Sequence, residues 1–146
     1  MTDIEHRKFM NLALDEARIA LDRGDGPIGC VIVHRGEVIS RGGNEVYTTR
    51  CKLEHAEIVA IRKKAEYLVT HGEECVLYTT LEPCIMCIGA IAVSGIAQVV
   101  YGASDPDRGG AEAHARVPYV ERTIKTYRGG ILADECAELL AQWNRV

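Results

Sequence analysis

A strand–helix–strand pattern between residues 75 and 102 places the strongest limit on the fold. The segments CVLYTT (75–80) and AQVVYG (97–102) have the composition of buried strands. Between them, Pro83 precedes an apolar run, a position typical of a first helical turn. Strands joined by a helix over so short a distance are expected to be parallel and covered by that helix. The sequence therefore predicts an α/β domain.

The segments on either side of this unit extend the sheet. Apolar stripes, β-rich runs and turn residues predict the remaining elements. In chain order, these are a helix over 5–21, strands over 29–33 and 37–41 around the hairpin signal His34-Arg35-Gly36, a loop over 42–53, a helix from about His55, a weak strand over 124–127 and a helix from about Asp134. We predict a three-layer α/β/α sandwich with a five-stranded mixed sheet, whose hairpin supplies an antiparallel edge. We expect a single domain spanning residues 1–146.

Charge and composition exclude several classes of protein. The net charge of −4 argues against non-specific nucleic-acid binding, which needs clustered Lys and Arg. The N-terminal MTDIEHRKF has no apolar signal-peptide core. No charged residue occurs from Cys84 to Ala103, but Ser94-Gly95 and Gln98 divide this stretch, so we predict a buried helix and strand and no membrane association. Six cysteines without an export signal indicate a reduced, cytoplasmic protein.

Four residues at the predicted helix starts carry the chemistry. Cys84 and Cys87 are three apart, so they share one face of the helix, near a helix dipole that favours thiolate. His55 opens the other helix, and these three side chains together are a zinc ligand set that leaves the fourth position for water, as in catalytic zinc sites. Glu57, two residues after His55, is then placed to move protons.

Simpler explanations of the same residues stay open at this point. A Cys-x-x-Cys can be a redox pair, and a His-x-Glu on a helix is usually chance. The three ligands can also belong to a structural site. The residues able to supply its fourth ligand are His6, His34, His71, His114 and Cys51.

The combination of H-x-E with a later P-C-x-x-C is the signature of zinc-dependent nucleobase deaminases. On these motifs the sequence resembles the cytidine deaminase-like superfamily over nearly its whole length. The branch that it resembles contains guanine deaminases, cytosine deaminase and tRNA adenosine deaminases. The further matching stretches are GPIGCVIV from residue 26, Asn44, TLEPCIMCIGAI from residue 80, VVYGASD from residue 99 and GILADECAELL from residue 130.

The resemblance implies a role for each matching residue. It implies that His55, Cys84 and Cys87 bind one Zn²⁺ per chain and that Glu57 is the catalytic proton carrier. It also implies that Asn44 and the Ala56 backbone hydrogen-bond the substrate. Ile28 would pack on the base, although it is equally an ordinary core residue, and Asn44 is equally a turn residue. Trp143 falls where related enzymes close an aromatic ring over the substrate, or it anchors the last helix.

Departures from the tRNA branch guide the expected substrate. Glu54 puts a negative charge beside the site, which is unfavourable next to a phosphate backbone. The segment Val120–Thr123 also differs from that branch, and no basic tail follows Trp143. We therefore expect a small-molecule substrate, namely a free nucleobase, nucleoside or related amino-heterocycle, with tRNA disfavoured. Asp105–Gly110 is expected to be a flexible loop at the mouth of the site.

Two alternatives to this function remain. One is a tRNA-specific adenosine deaminase, and the other is a zinc-stabilised binding protein without turnover, against which Glu57 argues. The resemblance also implies a homodimer, for which the apolar segment Ile85–Val93 is a candidate interface.

Overall fold

The structure is a computed structural model that describes residues 1–143, and a five-stranded sheet forms its centre. The strands are β1 (Gly29–His34), β2 (Glu37–Gly43), β3 (Cys75–Leu81), β4 (Gln98–Ala103) and β5 (Thr126–Arg128). The helices are α1 (Asp3–Arg23), α2 (Val46–Thr49), α3 (Ala56–Lys63), α4 (Ala65–His71), α5 (Ile85–Val93), α6 (Ala111–Arg116), α7 (Pro118–Thr123) and α8 (Ala133–Ala141).

The sheet is mixed, with the order β2-β1-β3-β4-β5. Strand β1 pairs antiparallel with both β2 and β3, whereas β3–β4 and β4–β5 are parallel pairs. The hairpin turn lies at Arg35 and Gly36, which both have positive φ angles of 50° and 79°, as a two-residue type I′ turn requires. The predicted mixed sheet with an antiparallel hairpin edge is confirmed.

Alternating residues of the central strands build two apolar layers. On β1, Cys30 and Ile32 belong to the apolar cluster that includes residues of α3 and α5, whereas Val31 and Val33 belong to the cluster that includes residues of α1 and α8. Because successive side chains of a strand point to opposite faces, a strand covered on both sides must be apolar throughout. All six residues of β1 are buried. This arrangement is the predicted three-layer α/β/α sandwich.

Two glycines bring helices directly onto the hairpin. A Cβ atom on Gly29 would lie 1.9 Å from the Ala13 carbonyl oxygen of α1. A Cβ atom on Gly42 would lie 2.8 Å from the Ala56 carbonyl oxygen of α3. Only a residue without a side chain permits such a close approach. The start of α3 is thereby fixed against β2.

Several connections differ from the prediction. The helix expected from His55 is broken at Lys64, so that α3 and α4 are separate, and α2 lies within the segment predicted as a loop. Helices α6 and α7 were not predicted. They connect β4 with β5, and a parallel pair of strands needs such a crossover.

The uncharged stretch from Cys84 to Ala103 contains α5 and β4, as the sequence indicated. Across residues 1–143, none of the helices has the length and apolar character needed to span a bilayer.

Candidate active site

Two helix starts meet at one edge of the sheet. Strands β2 and β3 are both antiparallel to β1, so they run in the same direction, and the chain leaves both at the same edge. His55 lies immediately before α3 and Cys84 immediately before α5, both with extended backbones. Cys87 is buried in the first turn of α5. His55 is therefore one residue earlier than the predicted first turn, at the N-cap.

The donor atoms of these three side chains have the spacing of a zinc site. His55 Nδ1 lies 3.5 Å from Cys84 Sγ and 3.5 Å from Cys87 Sγ. With Zn–N and Zn–S bonds of about 2.0 and 2.3 Å, two ligands of a tetrahedral zinc ion lie about 3.5 Å apart. The residues therefore fit the metal. Within residues 1–143 this group contains no fourth His, Cys, Asp or Glu ligand, which leaves one coordination position free of side chains.

The charges at these residues also suit a cation. Hydrogen bonds from the Cys87 thiol and the His55 imidazole lower the pKa of Cys84 to about 4, against the opposing effect of burial. The same interaction with Cys84, together with burial, raises the pKa of Cys87. The hydrogen bond to Cys84 raises the pKa of His55. Cys84 thus carries the negative charge that attracts a cation, whereas Cys87 and His55 become ligands by releasing a proton when the metal binds.

Glu57 is a buried carboxyl group in the first turn of α3. Its side chain is 3% exposed and lines the same cleft as His55 and Cys84. Burial raises the pKa of Glu57 to about 7. A carboxyl group with that pKa can accept and release a proton at neutral pH, which is the property of a general acid–base residue.

The cleft above these residues has a volume of about 610 Å³, which suits a nucleobase with its sugar. All four predicted substrate-contacting residues, Ile28, Asn44, Ala56 and Trp143, line it. Asn44 is buried, and its Oδ1 accepts a hydrogen bond from the Val46 amide at 3.0 Å. The amide side chain thus also has the turn role considered from the sequence.

Further residues around the cleft were not predicted from the sequence. Tyr47 lies opposite Trp143, with ring centroids 5.6 Å apart. Lys52 and Arg108 are exposed cations at the rim. Tyr47 and Lys52 lie in a segment that the sequence marked only as a loop, so their position depends on long-range packing. Arg108 belongs to the loop that was expected at the mouth.

Glu82 holds that loop against the zinc motif. Its side chain is buried and accepts hydrogen bonds from the Asp105 amide at 2.9 Å and from the Tyr127 hydroxyl at 2.8 Å. The Gly110 amide also donates to the Pro83 carbonyl at 2.8 Å. Glu82 directly precedes Pro83 of the zinc motif, so its place in the sequence could have indicated a position next to the site.

Asp25 fixes the opposite wall of the cleft. Its fully buried carboxylate accepts hydrogen bonds from the Tyr47 and Thr48 amides, the Thr48 hydroxyl and the Arg23 guanidinium. Arg23 also donates to the Asn44 carbonyl at 2.8 Å. Asp25 lies just after the helix predicted over 5–21, and no role at the site was predicted for it.

Residues 3–103 match the family model of the cytidine and deoxycytidylate deaminase zinc-binding region. The chain belongs to this family. It is a hydrolytic deaminase that acts on C–N bonds, and zinc is the cofactor of the family. The expected superfamily, enzyme class and cofactor are confirmed.

Individual relatives show which deaminases this chain is most similar to among those compared. It is 41% identical to the tRNA-specific adenosine deaminase of Agrobacterium fabrum, over 97% of this chain and 95% of the relative. A solved structure from work on A-to-I editing by tRNA:A34 deaminases has a TM-score of 0.80 and 40% identity, covering 90% of this chain and 98% of the other. Guanine deaminase from Bacillus subtilis also has 40% identity, but with a TM-score of 0.64 and coverage of 74% and 69%.

These findings contradict the expected free-base or nucleoside substrate and the expectation that tRNA is disfavoured. Similarity of about 40% identity along nearly the full length is to tRNA-specific deaminases, whereas the Bacillus subtilis guanine deaminase matches a smaller part of the chain. A guanine deaminase from Nitrosomonas europaea covers 93% of the chain, but at 26% identity. The unfavourable charge expected from Glu54 is also absent from the cleft. Glu54 is buried, and its two carboxylate oxygens bind Arg62 at 2.6 and 2.5 Å, so its charge is neutralised rather than directed towards a substrate.

Proposed function

We propose that this deaminase converts adenosine in tRNA to inosine. The observation that carries the proposal is the 41% identity, along nearly the whole chain, to a relative named a tRNA-specific adenosine deaminase. The donor geometry at His55, Cys84 and Cys87 supports the same chemistry. The reaction replaces the C6–N bond of adenine by a C6–O bond, with water as the co-reactant and ammonia as the product.

Different residues of the chain carry out metal binding and proton transfer in this reaction. His55, Cys84 and Cys87 hold the metal, which, when bound, supplies the Lewis acidity that makes water nucleophilic at neutral pH. Glu57 accepts a proton from the attacking water and delivers it to N1 of the ring. It then passes a second proton to the departing amino group. The pKa of about 7 for Glu57 allows both transfers.

The cleft walls orient the base. The Ala56 amide is at the start of α3, where backbone N–H groups have no partner within the helix, so it can donate to the adenine ring. Asn44 supplies a second polar contact, Ile28 packs on the ring, and Trp143 covers the outer side of the cleft.

RNA binding to this acidic protein depends on local cations. The net charge is −4, so long-range attraction to RNA is absent, but Lys52 and Arg108 flank the cleft. These side chains can pair with phosphates beside the target nucleotide, and such binding weakens as salt concentration rises. Base extrusion into a pocket is the usual solution for enzymes that modify a base within a polymer.

The decisive experiment compares substrates under one set of conditions. Purified zinc-loaded protein is incubated with a tRNA bearing adenosine at the wobble position, and inosine and ammonia are measured. The matched control is the same tRNA with guanosine at that position, and free adenosine, guanine and cytosine are tested in parallel. We expect inosine in the first tRNA alone. Turnover of a free base without turnover of tRNA would contradict the proposal.

A catalytic control separates binding from chemistry. Glu57→Gln keeps the size of the side chain but removes its proton transfer. We expect one zinc per chain, unchanged tRNA binding and a rate lower by at least about 10²-fold. Full activity in this variant would eliminate the proposed role of Glu57.

We also propose that the protein is a cytoplasmic homodimer in which each chain forms one catalytic domain. Helix α5 leaves Ile85 and Val93 exposed by 66% and 75%, which suits an apolar interface. All six cysteines are free, as expected in a reducing compartment that contains tRNA. Light scattering coupled to gel filtration measures the mass, and Ile85→Glu is expected to shift it towards the monomer.

A further inference from the structure

A second group of potential metal ligands lies at the end of the sheet opposite the active site. His34 ends β1, His71 ends α4, and Glu74 lies in the single 3₁₀ turn before β3. His34 pairs with Cys75 at the first residue of β3, whereas the zinc motif follows the last residue of that strand. The seven residues of β3 therefore separate the two groups by about 20 Å.

The donor atoms of this second group lie close together, and one pair of them has the spacing of two ligands of one ion. One donor atom each from His34, His71 and Glu74 lies within 4.8 Å of the others. His34 Nε2 is 3.4 Å from Glu74 Oε2. With metal–ligand bonds of about 2.0–2.2 Å, nitrogen and oxygen ligands of one tetrahedral ion lie about 3.4 Å apart.

The imidazoles are held in place before any ion binds. His34 is buried, and its Nδ1 lies 2.5 Å from the Tyr67 hydroxyl, an interaction that leaves Nε2 directed towards Glu74. A metal-binding histidine typically uses its second nitrogen in this way. His71 packs against both rings, with centroid distances of 4.9 Å to His34 and 4.4 Å to Tyr67.

We propose that His34, His71 and Glu74 bind one divalent transition-metal ion, separate from the catalytic zinc. Two imidazoles and one carboxylate favour Zn²⁺, Ni²⁺ or Cu²⁺ over Mg²⁺ and Ca²⁺, which prefer all-oxygen sites. The ion would connect the end of β1 to the start of β3 through the α4 segment. It would therefore stabilise the fold rather than take part in deamination.

Arg35 would compete with a metal ion for the Glu74 carboxylate. Its guanidinium nitrogens lie 2.8 and 2.9 Å from Glu74 Oε2, the oxygen that faces His34. A bound ion must share or displace this interaction, so removing the guanidinium should strengthen metal binding. An ordinary ion pair without a metal function would give no such effect.

The test uses Zn²⁺ and untagged, full-length protein. The chain is dialysed against micromolar ZnCl₂, zinc is counted by plasma mass spectrometry, and a metallochromic competitor gives the Kd of the weaker site. We expect two zinc ions in the wild type and one in His71→Gln and Glu74→Gln, or a Kd at least about tenfold higher. Glu73→Gln is the matched control, because its carboxylate is adjacent in sequence but binds Lys125.

Arg35→Gln should lower the Kd of the second ion and leave the catalytic ion unchanged. One zinc per wild-type chain would overturn the proposal. So would a second zinc whose Kd is the same in the wild type, His71→Gln and Glu74→Gln. The outcome does not depend on which substrate is deaminated.

Discussion

Replacing Asp25 by Asn tests the idea that one buried carboxylate fixes a wall of the active site. The substitution keeps the shape of the side chain. Oδ1 can still accept from the Tyr47 and Thr48 amides, each at 2.9 Å. The new amide nitrogen, however, takes the place of Oδ2, which accepts from Arg23 Nε at 2.7 Å. Two donors then face each other.

The expected loss of stability follows from that single contact. A hydrogen bond involving charged groups contributes about 1.5–3 kcal/mol, and an unmade bond at a buried site costs a similar amount. The Thr48 hydroxyl can rotate and accept from the new amide, so its bond is not lost. The Arg23 side chain is 34% exposed and water can reach it, which limits the total to about 2–3 kcal/mol. For a chain of this size that corresponds to a Tm lower by about 5–10 °C.

Thermal unfolding followed by circular dichroism measures this difference, with Asp22→Asn as the control. Asp22 is an exposed carboxylate in the last turn of α1, close to Asp25 in sequence, and its replacement changes the net charge equally. We expect Asp22→Asn to shift Tm by no more than about 2 °C. A loss in Asp25→Asn as small as that of the control would refute the reasoning.

The pH dependence gives an independent measurement of the same network. Burial opposes ionisation of Asp25, but hydrogen bonds from Thr48, Arg23 and the Tyr47 amide outweigh it and lower the pKa. A lowered pKa stabilises the fold above the unfolded value of about 3.9, and this contribution is lost as pH falls through the folded value. The difference in free energy of unfolding between wild type and Asp25→Asn should therefore be constant near neutral pH and shrink below about pH 4.

Three further predictions concern the cleft and the metal. Lys52→Gln and Arg108→Gln should each weaken tRNA binding and reduce the slope of log K against log salt by about 1. Arg7→Gln, on the exposed side of α1, is the control and should change neither. Equal slopes for all variants in filter-binding titrations would argue against phosphate contacts. Tyr127→Phe removes the hydroxyl that donates to Glu82, so urea unfolding should show a loss of about 1–3 kcal/mol, and an unchanged midpoint would contradict it. Removing zinc with a chelator should abolish deamination. The far-ultraviolet circular dichroism spectrum should stay largely unchanged, because two apolar layers support the sheet. Recovery of activity on adding Zn²⁺ is the control.

The sequence was sufficient for the features that depend on local patterns. The apolar runs at β1, β3 and β4 indicated buried strands, and the positions of His55 and Cys84 before apolar segments indicated helix starts. The candidate metal ligands His55, Cys84 and Cys87 could be grouped because the sequence motif that contains them is specific. Short helices such as α6 and α7 have too few turns for a periodic pattern, so they were missed.

Side-chain partners that the local patterns do not reveal were decided only by the tertiary structure. Glu54 looked like an unpaired charge next to the site until folding brought it to Arg62. Asp25 looked like a turn residue until its carboxylate was enclosed by Arg23 and the Tyr47–Thr48 backbone. Local sequence determined which residues can do the chemistry. Packing determined which charges remain available to a substrate, because burial and pairing depend on how the elements fold against one another.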